Sequence, residues 1–390
     1  MSEERLVPKL RFSGYTDNFE SGRLEDVCEV KGRIGFRGYT KSDLVGKNEG
    51  ALTLGGKHIN SNDKLNLDDP DYLSWEKYEE SPEIKVKVGD IILAQRGTLG
   101  QSALIDRDIG KATINPSMVL LKDFKINNIF LHYLLTTSKL KKEVIRKSSS
   151  TAVPMISQAE IKKLKINYPS SSEQEKIGHF FKIIDNKLEL LKNKLKSYQD
   201  FKKYLMQQIF AQKLRFIDFN DEWVSKKLGE IVEFLDNKRI PLNEDQRNSQ
   251  KDIYPYYGAS GIIDYVEDYI FDEELILIGE DGTIDVNLAS GKYWVSNHAH
   301  VLRAKDNINQ YFLSEFLKTI NFEIYNTGTI QPKLNKETCK SIPIKLPVSL
   351  DEQNKIADLF FDVNEKLKYI QNELAEVQRF KNGLLQQMFV

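Results

Sequence analysis

Two stretches of the chain space their apolar residues in alternating steps of four and three. The first runs Ile177, Phe181, Ile184, Leu188, Leu191, Leu195, Tyr198, and the second Ile356, Phe360, Val363, Leu367, Ile370, Leu374, Val377. This a/d heptad pattern, sustained over three heptads, predicts two long helices with matching seams. Each pattern follows a proline and opens on capping-box spacing, Ser170-x-x-Glu173 and Ser349-x-x-Glu352. Neither contains proline after its start, so each helix is expected to run about 40 residues, or ~60 Å at ~1.5 Å per residue. Shorter patterns lie between them. KVKVGDIILAQRGTLGQSALI (85–105) and ELILIGEDGTIDVNLAS (274–290) read as strands joined at Gly-Thr. NIFLHYLLTTSKLKKEVI (128–145) and QYFLSEFLKTINFEI (310–324) read as helices. The expected class is mixed α/β.

The two heptad stretches belong to an internal repeat. A shift of 179 places FKKYLMQQIF (201–210) on FKNGLLQQMF (380–389) and aligns the Glu-Gln-x-Lys-Ile cores at 173–177 and 352–356. A shift of 178 matches the prolines of STAVPMISQAEIKKLKINYP (150–169) and GTIQPKLNKETCKSIPIKLP (328–347). A shift of 182 pairs Asn115, Val119, Leu120, Phe130 and Leu131 with Asn297, Val301, Leu302, Phe312 and Leu313. A shift of 204 pairs PKLRF (8–12) with QKLRF (212–216), then Asp17, Phe19, Ser21 and Leu24 with Asp221, Trp223, Ser225 and Leu228. The register is lost over residues 40–90. The chain therefore reads as two copies of one unit, each a variable globular part followed by a matched helix.

Residues 170–210 hold eight Lys and five acids, and residues 349–390 hold five Lys/Arg and seven acids. Opposite signs favour pairing the helices with each other; seams that bind an outside protein are the alternative. If the helices lie antiparallel, the end of the second meets residues 1–12, giving a near-circular arrangement with pseudo-two-fold symmetry. Residues 1–169 carry 27 basic and 23 acidic residues, whereas residues 211–348 carry 16 and 22. A shared scaffold with different surfaces suggests related tasks on different targets.

Composition narrows the classes. The 390 residues are 40% hydrophobic and 29% charged with net charge −1, which suits a soluble globular protein without an overall basic coat. Cys28 and Cys339 form neither a disulfide framework nor a four-thiolate zinc site, and read as thiols in a reducing cytoplasm. The start MSEERLVPKL lacks the apolar stretch of a signal peptide, and no apolar run is long enough to span a bilayer. A cytoplasmic protein is expected.

The layout resembles the specificity subunit of type I restriction–modification systems. The resemblance rests on PKLRF with Phe19 or Trp223 and Leu24 or Leu228 following, on Glu-Gln-x-Lys-Ile after proline at both helix starts, and on tails ending Leu-x-Gln-Gln-x-Phe. It implies two target recognition domains, 1–169 and 212–348, each reading one half of a bipartite, asymmetric DNA site. It also implies two spacer helices, 170–211 and 349–390, that set the unread spacer and dock two methyltransferase subunits. Adenine-N6 methylation and restriction would then be performed by partner subunits, which would carry S-adenosylmethionine, ATP and Mg, with no cofactor on this chain.

Catalytic motifs are near misses. ALTLGGKH (51–58) has Ala51 where a P-loop needs Gly and His58 where it needs Ser/Thr. Asn115-Pro116-Ser117-Met118 lacks the second proline and the aromatic of the amino-methyltransferase motif, and no Gly-rich turn for a methyl donor accompanies it. His298 and His300, two residues apart on a predicted strand, are not read as ligands of one metal. His132 and His179 fall in helical patterns as packing or surface residues. The chain reads as non-catalytic.

Candidate DNA contacts lie in polar segments. KLKKEVIRKSSSTAVP (139–154) combines Lys142, Arg146 and Lys147 with Ser149 and Thr151, all natural phosphate ligands. A solvated helix end accounts for them equally well. Its counterpart offers Thr329, Gln331 and Lys333, with Gln331 suited to an adenine edge. Lys57, His58, Arg96, Thr98, Ser260, Lys292, Tyr293, Asn297 and His298 complete the set, each in a Gly-rich or polar loop. A stand-alone DNA-binding regulator and a coiled-coil adaptor without DNA remain the alternatives.

Overall fold

Both heptad stretches form uninterrupted helices, Ser171–Phe210 and Leu350–Met388. The structure, a computed structural model, describes residues 6–149, 153–243, 247 and 253–390. The chain divides into two compact units, Met1–Leu191 with Glu373–Val390, and Lys192–Asn372. Each unit thus owns the N-terminal half of one long helix and the C-terminal half of the other.

The first unit holds two four-stranded sheets. One has the order Glu29–Gly32, Met118–Lys122, Ile91–Ala94, Ser102–Leu104, antiparallel throughout. The other has the order Leu44–Val45, Asp71–Ser74, Gly50–Leu54, Ala112–Ile114, with the last pair parallel. Ile91–Ala94 is apolar at every position because both its faces are covered. Ile91 and Leu93 pack on a helical layer with Phe130, Leu134, Ile177 and Phe181, while Ile92 and Ala94 pack on the second sheet with Leu52, Leu54 and Ile114. The expected helix over 128–145 is two, Asn128–Thr136 and Ser138–Arg146. Thr137 between them is extended and caps the second through its hydroxyl.

The second unit repeats the plan. Its first sheet has the order Val232–Phe234, Ala299–Ala304, Leu275–Gly279, Val286–Ala289, which is the same topology. Ile276 and Ile278 face helices, and Leu275 and Leu277 face the second sheet with Phe271, Tyr293 and Val295. That second sheet runs Gly261–Val266, Tyr254–Gly258, Lys292–Val295, Phe271–Asp272, again with one parallel pair. The helix expected over 310–324 ends at Leu317, and a 3-10 turn follows at Phe322–Tyr325. The ladders also correct one alignment. Val119 opposite Leu93 corresponds to His300 opposite Ile278, a shift of 181 rather than 182. Val119 faces the helices and Val301 the second sheet, the face reversal that a one-residue slip produces.

The heptad stripe serves more than a helix seam. In the first unit Ile177, Phe181, Ile184 and Leu188 join the core of the globular part as well as Leu374, Val377, Leu384 and Met388 of the second helix. The two halves run antiparallel there: Phe181 meets Phe389, Asp185 meets Lys381, and Lys187 meets Glu373. In the second unit Ile356, Phe360, Val363 and Leu367 share a core with Leu205 and Ile209. Leu191 and Ile370 are buried, and Leu195 and Tyr198 half-buried.

The expected capping boxes do not form, because their glutamates are used elsewhere. Glu173, fully buried, accepts from Arg11 Nε and Nη2 at 2.8 and 2.7 Å, and Arg11 Nη1 reaches the Asp17 carbonyl at 2.6 Å. Glu352 accepts from Arg215 Nε and Nη2 at 2.7 and 2.8 Å, and Arg215 reaches the Asp221 carbonyl at 2.5 Å. The Glu173 hydrogen bond raises the Arg11 guanidinium above its ordinary value, as Glu352 does for Arg215. The next residue ties in a third segment. Gln174 accepts from the Asn127 N–H and donates to the Pro169 carbonyl, and Gln353 does the same with Asn309 and Pro347. The helix ends match too: the Leu10 N–H donates to the Gln387 carbonyl at 3.0 Å, and the Leu214 N–H to the Gln208 carbonyl at 3.1 Å.

A second polar cluster occupies equivalent positions with its carboxylate moved. In the first unit Asp185 takes Lys381 at 2.6 Å and the Tyr133 hydroxyl at 3.0 Å. In the second, Asn364 stands in place of Asp185 and Glu315 in place of Tyr133, and Lys202 pairs with Glu315 at 2.8 Å. Burial alone would raise the Glu315 carboxyl, but Lys318 and Lys202 outweigh it and hold it below its ordinary value. Beside Asp185, burial pulls His132 down to about 4, so the ring is neutral.

Two outcomes follow. Glu352→Ala leaves Arg215 without its carboxylate and should destabilise the second unit by about 3 kcal/mol, the lower end for a broken buried pair because Arg215 reaches solvent. Urea unfolding read by tryptophan fluorescence measures this, since Trp223 Nε1 also donates to Glu352. Lys381→Met should cost the first unit about 3 kcal/mol by leaving Asp185 with only the Tyr133 hydroxyl and a distant Lys64 at 3.9 Å. Adding Asp185→Asn, which copies the second unit, should recover most of it in the same assay.

Candidate nucleic-acid interface

In the first unit four loops meet at one end of the sheets: Gly55–His58, Gln95–Leu99, Asn115–Ser117 and the segment around Ser149 and Pro154. Glycines permit the approach. A Cβ on Gly55 would lie 2.3 Å from Asn115 Nδ2, and one on Gly56 would lie 3.0 Å from Thr98 Oγ1. The Gln95 N–H donates to the Ser117 carbonyl at 2.9 Å, and its side chain to the Pro116 carbonyl at 2.9 Å. Gly97, at φ +79°, donates its N–H to the Pro154 carbonyl at 3.3 Å. The Ile156 N–H returns a bond to the Gln95 carbonyl at 2.9 Å, and the Ser149 N–H donates to Met155 at 2.8 Å. Two loops far apart in sequence are thereby clamped with Arg96 opposite Met155. A groove lined by Thr98, Gln101, Ile145, Ser148 and Ser149 runs beside the clamp.

The second unit builds the same clamp. Gly282, at φ +98°, donates to the Pro332 carbonyl at 2.9 Å, Leu334 to Glu280 at 2.8 Å, and Thr327 to Lys333 at 2.8 Å. The Glu280 N–H donates to the His298 carbonyl at 2.8 Å, as Gln95 does to Ser117. A Cβ on Gly279 would fall 2.8 Å from the Ala259 carbonyl, so the Ala259–Ser260 turn belongs to the same cluster. Behind it, His300 is fully buried, with Nδ1 2.9 Å from Asp236 and Nε2 2.8 Å from the Leu334 carbonyl. Arg239 Nη1 binds Glu280 at 2.8 Å and the Ala299 carbonyl at 2.7 Å. Burial pushes the Asp236 carboxyl up, but the His300 and Val301 hydrogen bonds bring it below its ordinary value.

The proposed contacts sort by exposure. Arg96, Thr98, Lys142, Arg146, Ser149, Ser260, Asn297, His298, Thr329, Gln331 and Lys333 are exposed in or beside these loops. Two are interior and cannot touch an external ligand. His58 is 1% exposed, with Nδ1 accepting the Gly55 N–H, and Tyr293 is 0% exposed on the inner face of its strand. Lys292 is exposed but stands three residues back along that strand, over the Tyr269 ring at 4.5 Å. Lys57 is shared by Asp69 and Asp71 at 2.7 and 2.9 Å, and Lys147 lies 3.6 Å from Glu143. Thr151 lies outside the described residues. Sequence reading passed over Asp281, Arg239 and Asp236; the shared Gly-Thr was the available signal for Asp281. Among the described residues no cluster of three His, Cys, Asp or Glu could hold a metal ion.

A family profile described as the type I restriction modification DNA specificity domain matches residues 16–197 and 220–379. A Haemophilus influenzae protein, provisionally named a type I restriction enzyme specificity subunit, is 38% identical over 131 residues, 32% of this chain and 33% of that protein. The match thus spans about a third of that relative's length. A Methanocaldococcus jannaschii type I restriction enzyme specificity subunit is 24% identical over 76% of each chain. The crystal structure of a type I restriction–modification S subunit from M. genitalium superposes with a TM-score of 0.70 at 17% identity, covering 98% of this chain and 99% of that one. It shares the fold.

The pH dependence of the second unit's buttress is testable. A carboxyl whose pKa is lowered on folding contributes stability above its unfolded value, near 3.9, and loses it as pH falls through the folded value. Asp236→Asn should therefore be less stable than the parent at pH 7, with the difference shrinking below about pH 4. Urea midpoints across pH 3–7 give the comparison.

Proposed function

The chain belongs to the type I restriction–modification DNA specificity family, and from that premise we propose that it is the DNA-recognition subunit of such a complex. Each globular unit reads one half of a bipartite, asymmetric site, and the two long helices set the unread spacer and dock two methyltransferase subunits. Partner subunits perform adenine-N6 methylation and restriction, and bind the methyl donor, ATP and Mg. The target recognition domains are residues 1–169 and 212–348, and the spacer helices 170–211 and 349–390. The complex works in the cytoplasm; no helix among the described residues is long and apolar enough to cross a membrane.

One observation carries this reading. Two units share sheet order, Arg–Glu clamp and loop clamp, yet differ in the exposed residues of those loops. Scaffold identity with divergent tips is what two readers of different half-sites need. Two-fold protein repeats matched to spaced half-sites are a known means of DNA recognition, in which phosphate contacts position and base contacts specify.

The test is the methylated motif. Co-expressed with its methyltransferase partner, the chain should yield one bipartite motif in sequenced genomic DNA. Replacing residues 13–150 by the equivalent segment of another family member should change one half of the motif and leave the other half and the spacer unchanged. A swap that alters both halves, or a parent complex without a bipartite motif, would overturn the proposal.

A further inference from the structure

We propose that one equivalent position, Arg96 in the first unit and Asp281 in the second, is a base-reading position, with Arg96 taking guanine in the major groove. This rests on the DNA-recognition reading above. The equivalence is geometric. Both residues precede the positive-φ glycine of a clamp, Gly97 or Gly282, and both stand opposite the residue after Pro154 or Pro332. The backbone bonds on either side of them are the same in kind, at 3.3 and 2.9 Å to the proline carbonyl and 2.9 and 2.8 Å to the Gln95 and Glu280 carbonyls. The main chain therefore presents the two side chains alike from a braced turn.

Their chemistry is opposite. Arg96 is exposed and has no acid within ion-pair distance among the described residues. Across the clamp from it stands uncharged Met155. Asp281 is held by Lys333 at 3.1 Å, across the clamp where the first unit has Met155. A position that served phosphate would need a cation in both units, because a carboxylate there is repelled. Reversal of sign on an identical scaffold is what a base-reading position tolerates and a backbone-contacting one does not.

The donor pattern names the base. A guanidinium offers two parallel N–H groups that match guanine O6 and N7, both acceptors, whereas a carboxylate has none to offer them. Asp281 instead accepts from the cytosine N4 amine, with Lys333 fixing its rotamer. The two halves of the site would then differ at the equivalent position.

Three variants test this in the complex with its methyltransferase subunits, read by the methylated genomic motif and by selection of bound sites from a random-sequence DNA pool. Arg96→Gln should replace guanine by adenine at one position of one half-site, because a carboxamide pairs with adenine N6 and N7. Arg96→Lys keeps the charge but loses the fork, and should lower discrimination at that position about ten- to hundred-fold. Asp281→Asn should alter only the other half. Arg96 is exposed, so these changes leave the core untouched. An Arg96→Lys complex that keeps the parent motif at full discrimination would make Arg96 a phosphate contact and overturn the assignment. So would an Arg96→Gln complex whose methylated or selected sites still require the same base. A parent complex that yields no bipartite motif would instead overturn the underlying DNA reading, so the two failures are distinguishable.

Discussion

A carboxylate removed from water at the start of each long helix is the constraint on which each unit is built. Burying such a charge costs several kcal/mol unless it is paired with good geometry. Arg11 and Arg215 supply that geometry, with two parallel N–H bonds each. Because the arginine belongs to the segment entering the globular part, the pair fixes that segment against the helix leaving it. The glutamine next in line then fixes the cap of a third element, at Asn127 or Asn309. Two adjacent side chains thus join three segments, and the sheets and loops are positioned from there.

The buried lysine cluster follows a different logic. Three equivalent positions hold one lysine and one carboxylate in both units, but the carboxylate sits on the long helix in the first and on the globular part in the second. The requirement is for one compensating charge within reach, and its place of attachment is free. The tolerance stops where geometry demands a bidentate fork, as at the Arg–Glu clamp.

Periodicity made the long helices and their repeat legible, and Gly-Thr marked the strand pairs at 91–104 and 275–289 correctly. Partners distant in sequence were hidden. Glu173 and Glu352 fit capping boxes by local spacing, yet their ligands lie 162 and 137 residues away. The lost register over 40–90 has a structural cause. In the first unit Gly50–Leu54 and Asp71–Ser74 are joined through residues 55–70, while in the second the matching strands are closed by Ala259 and Ser260 alone. The loop clamp was half visible: the prolines at 154 and 332 aligned, but nothing local tied them to Gly97 and Gly282. Tyr293 was misplaced because SGKYW resembles a turn, although Lys-Tyr-Trp-Val alternates as a strand with Tyr293 and Val295 inward.

The joint between Leu10 and Gln387 also bears on how the protein is made. The second unit is one continuous run of chain, complete once residue 372 has been synthesised. The first must wait: Asp185 lacks Lys381, and Phe181 lacks Phe389, until residues 373–390 arrive. At ribosomal speeds of about 5–20 residues per second, that interval is roughly ten to forty seconds. Throughout it the nascent chain carries an apolar groove with a carboxylate short of its nearest lysine. A message cut short within the codons for residues 373–390 would release a protein with one finished unit and one open core, a form that chaperones and proteases can tell from the intact fold.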